Sequence, residues 1–112
     1  MYKLYSYWSA PKPEDVEAFE EYYLSTHCPK AEAVPHLKRL VTTKTGDGFE
    51  GGESIHYRIA EMVFADRAAL AKCAESEQWK TLRECSATMI ERFGVTLEVE
   101  AGDELIADLP KG

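Results

Sequence analysis

The sequence predicts an α+β domain with a four-stranded antiparallel sheet and its helices on one face. Three observations predict it. Segments of two-residue hydrophobic period and segments of helical period follow one another as strand, helix, strand, strand, helix, strand. The helical segments carry their own start and stop residues. The first strand has useful side chains on both faces, so neither face is plainly solvated. At 112 residues the chain is expected to form one domain over residues 1–112.

Tyr2 to Ser9 reads as the first strand, aromatic-rich and unbroken until Ala10-Pro11. Pro13 suits a first helical turn, with Glu14 and Asp15 facing its amide end. The helix that follows carries Val16, Phe19, Tyr23 and His27 on one side, while Glu17, Glu20 and Glu21 fall toward water. Pro29 biases Cys28 away from helical geometry, so the helix is expected to end at Thr26 or His27. A short helical turn is expected before Pro35, and a second strand from Leu37 to Lys44. Gly46, Gly48, Gly51 and Gly52 mark a flexible connection. No Lys-Ser/Thr pair or helix follows them, so they do not form a phosphate-binding loop.

Ile55 to Phe64 reads as the third strand. His56, Arg58, Ala60, Met62 and Phe64 share one face; Tyr57, Ile59, Glu61 and Val63 share the other. Asp66 and Ser76 are set to cap two helical segments. The second has the stripe Trp79, Leu82, Ser86, Met89, Ile90 and Phe93, and Gly94 stops it. Val95, Leu97 and Val99 make the fourth strand, and the tail holds Leu105, Ile106 and Leu109. This order is the split βαβ, ferredoxin-like arrangement. It leaves one sheet face bare. Burying that face against a second copy is the economical solution, and two such sheets would enclose an apolar space.

Composition narrows the partners. Twenty acidic against thirteen basic side chains give a net charge of −7, which argues against nucleic acid and against an anionic membrane surface. Three cysteines (Cys28, Cys73, Cys85) with no metal-binding spacing read as free thiols of a reducing compartment. No leader is evident, and a cytoplasmic location is expected. His27, His36 and His56 have no metal-ligand spacing, and no cofactor motif is visible, so neither metal nor cofactor is expected.

His27 either caps a helix at the edge of the core or is presented to a cavity as base, acid or ligand anchor. Glu61 is an acid within an otherwise buried strand, and must be exposed, paired with Lys3, Arg39 or Arg58, or functional. Tyr5, Tyr7 and Trp8 either line an aromatic cavity or serve as packing.

The run Phe19-Glu20-Glu21-Tyr22-Tyr23-Leu24-Ser25-Thr26-His27-Cys28-Pro29 resembles the first-helix motif of the EthD family, an aromatic pair followed by His-x-Pro. Ala60-Glu61-Met62-Val63-Phe64 resembles the family's third strand, and Ser76 to Phe93 its long last helix. The resemblance implies a dimeric α+β barrel. It carries His27 and Glu61 over as catalytic candidates, with Tyr22 and Tyr23 as the paired aromatics of a ligand site. Lys30 stands where the family usually has Leu. The function expected is a small cofactor-independent isomerase or lyase moving a proton on an apolar or aromatic metabolite. The alternatives are a non-catalytic binding or accessory protein and a cofactor-free monooxygenase.

Overall fold

The computed structural model describes residues 1–111. Strand β1 (Tyr2–Trp8) is followed by a 3₁₀ turn (Pro13–Asp15) and helix α1 (Val16–Tyr22). A π-helical turn (Tyr23–His27) leads into α2 (Cys28–Glu32). Strands β2 (Arg39–Lys44) and β3 (Arg58–Phe64) come next. Helices α3 (Arg67–Cys73) and α4 (Glu77–Phe93) precede β4 (Leu97–Asp103).

The strands lie in the order β2-β3-β1-β4, all antiparallel. This is the α+β, ferredoxin-like order that the alternation of periods predicts. Register sorts the faces. Leu4, Met62 and Leu40 form one row, and Ser6, Ala60, Thr42 and Val99 the next. These rows face the helices. Tyr5, Glu61, Val41 and Glu100 form a row on the opposite face, flanked by Tyr7 and Ile59.

The core has two parts. Leu4, Met62, Phe64, Ala31, Cys73 and Leu82 pack at one end of the sheet. Trp8, Phe19, Tyr23, Met89, Phe93 and Val95 form an aromatic cluster at the other. Its rings meet mainly edge to face, as with Trp8 and Phe19 at 6.3 Å and Phe19 and Phe93 at 5.3 Å.

The caps fall where the sequence puts them. The Asp66 carboxylate accepts from the Ala69 amide, and the Ser76 hydroxyl from the Trp79 amide. Gly94 ends α4 at φ 65°, a left-handed conformation that glycine takes without strain.

Three expectations are corrected. The helix does not end at His27. Cys28 is helical (φ −58°, ψ −43°), and its amide donates to the Tyr23 carbonyl five residues back. The wider π turn changes the bonding register before Pro29, whose missing amide then falls in the tolerated first turn of α2. Strand three starts at Arg58 rather than Ile55, because the His56 carbonyl is taken by the hydroxyls of Ser54 and Thr45 instead of by a ladder partner. Glu20 does not face water. Its carboxylate accepts from the Arg58 guanidinium in a largely buried ion pair that ties α1 to the sheet.

Candidate functional site

A cavity of about 440 Å³ lies between the sheet and the helices. Its origin is a row of short side chains. Ser6, Ala60 and Thr42 on the sheet lie opposite Ala31, Ser86 and Ala87 on the helices, and none is long enough to fill the gap. Trp8, Tyr23, Leu82, Ile90 and Leu97 belong to the surrounding apolar wall.

His27 lines this cavity and is 8% exposed. The π turn and the aromatic cluster hold it. Its ring centre lies 5.4 Å from that of Trp8, nearly perpendicular, and 5.5 Å from that of Tyr23. Nδ1 lies 3.4 Å from the Cys85 Sγ. No described protein group bonds Nε2, which is not sealed from solvent and so is open to a ligand. Burial, with a smaller contribution from the charge of Lys30, lowers the His27 pKa to about 4. The ring is therefore neutral near pH 7. Burial raises the Cys85 thiol, which stays protonated.

The donor and acceptor in that contact depend on the tautomer. If the thiol donates into Nδ1, then Nε2 carries the ring proton and can only donate. If Nδ1–H donates to sulfur, Nε2 offers a lone pair to the cavity. A second polar pair lies in the wall, where the Tyr23 hydroxyl and Thr42 Oγ1 are 2.8 Å apart. The buried Arg58 guanidinium sits 5.0 Å from the centre of the Tyr23 ring. Burial alone would raise the Glu20 carboxyl, but the Arg58 bonds outweigh it and leave it below its usual range.

The structure brings together His27, Trp8 and Tyr23 but not the other candidates. Glu61 is on the sheet face away from the helices, paired with Lys3 at 3.3 Å. The sheet separates it from His27, so it neither orients the imidazole nor reaches this cavity. Phe64, of opposite parity, is fully buried on the helix side, as the alternation requires. Tyr5 and Tyr7 also lie on the Glu61 face, stacked at 6.2 Å. There Tyr7, with His56, Glu98 and Glu100, borders a separate hollow. Tyr22 turns toward α4, against Phe93 and beneath the Arg92 guanidinium, and does not line the cavity.

Sequence reasoning missed Cys85, Thr42, Ser86 and Arg83. Ser86 was visible as a small polar residue within the α4 stripe, and it marks where that stripe stops filling space. Among the described residues, no group of three or more His, Cys, Asp or Glu side chains comes together to hold a metal. No described helix is long and apolar enough to cross a membrane.

Fold and site together define a ferredoxin-like α+β protein with a small-molecule-sized cavity between sheet and helices. The EthD domain model matches residues 11–92, and the chain belongs to the EthD family. It is similar to an EthD family protein from Bacillus halodurans, at 25% identity and a TM-score of 0.74 over 94% of this chain and 99% of that one. A ferredoxin-like dabb family protein from Mesorhizobium loti shares the fold at 12% identity and a TM-score of 0.62, over 93% and 97% of the two chains. An uncharacterized 11.0 kDa protein encoded in the thcB–thcC intergenic region of Rhodococcus erythropolis is 30% identical over 66 residues. That match covers 59% of this chain and 63% of the relative, less than two thirds of its length.

Proposed function

We propose that the cavity binds a small, mostly apolar or aromatic metabolite and that His27 moves a proton on it without a cofactor. One observation carries this reading: a buried, neutral imidazole whose Nε2 is left free beside an apolar cavity. In the base form, Nδ1–H donates to Cys85 and Nε2 takes the proton. A C–H or O–H bond of the ligand breaks, its electron pair stays on the ligand, and His27 becomes cationic. Returning the proton to another atom completes an isomerisation; expulsion of a leaving group completes an elimination. An imidazole with a pKa of about 4 is a weak base, so the ligand's reacting position must itself be acidic. With Glu61 on the other sheet face, the Tyr23–Thr42 pair in the cavity wall is an alternative polar partner for the ligand.

The open sheet face supports a homodimer. Tyr5, Tyr7, Val41 and Ile59 stand on it half-buried, with no described helix or strand packed over them. A second copy would cover that face and leave the His27 cavity of each subunit on the helix side. The three free cysteines accord with a reducing compartment.

The test is His27→Gln, which keeps much of the size and a hydrogen bond but removes imidazole acid-base chemistry. Turnover of a converted metabolite should fall by about 10²–10⁴-fold in a folded protein. Modest change in affinity with no turnover to lose would favour the binding-protein alternative. Full activity in a folded variant would remove His27 from the mechanism.

A further inference from the structure

The charge lining the cavity differs in sign from the charge on the chain. Acidic side chains outnumber basic ones by twenty to thirteen, yet among the described residues no acid lines the cavity and the one charged lining residue is Arg83. Arg83 shares the cavity-facing side of α4 with Ser86, Ala87 and Ile90, spaced three, four and seven residues on. Its helical neighbours at three and four residues are Trp79, Lys80, Ser86 and Ala87, so none offers a carboxylate. Lys30 on α2, which packs against α4, has Thr26, His27, Ala33 and Val34 at the same spacings. No described carboxylate lies within ion-pair distance of Arg83 or Lys30. Arg58, the buried cation behind Tyr23, is by contrast neutralised by Glu20.

Arg83 on the cavity wall, with Lys30 near enough for its charge to act on His27 and Cys85, defines a complementary ligand. We infer that the cavity takes an amphipathic organic acid, its apolar body against Trp8 and Tyr23 and its carboxylate at the mouth with Arg83 and Lys30. Arg83 supplies the planar donor pair that suits a carboxylate, Lys30 a point charge, and Ser86 a further donor one turn along α4. The assignment deepens the proposed function and rests on its cavity. Burial is the larger cause of the lowered His27 pKa and Lys30 the smaller; an anion placed beside Lys30 offsets only that smaller part, raising the ring's proton affinity modestly when the ligand is in place.

The experiment compares naphthoate with naphthamide, which share one body and differ in charge. Binding is measured by calorimetry to wild type, Arg83→Gln and the double variant Arg83→Gln/Lys30→Gln. The expected result is about five- to ten-fold tighter binding of the acid to wild type, a preference that shrinks with added salt and with each substitution. Naphthoate, and not naphthamide, should also raise the His27 titration midpoint followed by NMR. Equal binding of acid and amide to wild type would overturn the anionic-ligand assignment and leave the cavity reading standing. An acid preference that persists in the double variant would overturn the roles of Arg83 and Lys30. Failure of folded wild type to bind either compound would overturn both this assignment and the proposed function.

Discussion

Replacing His27 with glutamine should flatten part of the acid-induced loss of stability. The His27 pKa falls from 6.5 to about 4 on folding, so the folded chain resists a proton that the unfolded chain accepts. The stability contributed by the neutral ring is fully present above about pH 6.5, is lost as pH falls through the interval down to about pH 4, and changes no further below it. At about 1.4 kcal/mol per pKa unit, the loss across that interval is about 3 kcal/mol. The ring is 8% exposed, so solvent screening removes little of this. Glu20 and Glu104 also have lowered pKa values and contribute acid sensitivity of their own, but both remain in the variant and cancel in the comparison. Urea unfolding of wild type and His27→Gln, at one protein concentration from about pH 7 to about pH 4.5, isolates the His27 contribution. The stability gap should narrow steadily toward acid. A gap that stays constant within about 0.5 kcal/mol would refute the burial argument for a depressed imidazole.

Three further outcomes are expected. Glu20→Gln leaves the Arg58 guanidinium buried without its counter-charge and should cost about 2–4 kcal/mol in urea unfolding, much of it recovered by Arg58→Met in the same chain. Cys85→Ala should change the nitrogen chemical shifts of His27 toward a mixed tautomer population while costing about 1 kcal/mol or so; unchanged shifts would show that the thiol does not set the tautomer. Sedimentation at low micromolar concentration should show two copies per particle, and Ile59→Asp on the open sheet face should yield monomer with the His27 cavity intact.

The order of elements was legible because period two and period 3.6 separate cleanly in this chain, and Asp66, Ser76 and Gly94 punctuate it. The faces were legible too: Glu61 and Phe64 fall on opposite sides of β3 as their parity requires. Which side holds the cavity was not. Alternation tells which residues share a face but not whether the layers meeting there fill their volume. The space depends on Ser6, Ala60 and Thr42 coming opposite Ala31, Ser86 and Ala87, pairs far apart in sequence. Glu20 misled for the same reason, since its partner Arg58 is 38 residues away. Pro29 reads as a stop because a proline normally disrupts a helix; only the π turn before it, invisible to periodicity, lets α2 continue.

The short-side-chain row across the sheet separates two properties that enzymes often have to change together. Ser6, Ala60 and Thr42 bound the room in the cavity, while His27, the group to which the proposed function gives the proton transfer, comes from the other layer. Lengthening Ala60 to Val or Leu would fill space with two or three added carbons without moving the imidazole or Cys85. A lineage carrying this scaffold can therefore shift to a smaller or larger ligand through substitutions in the sheet floor alone. The reacting group would be inherited unchanged, and divergence in ligand size would leave no mark on the His-x-Pro segment.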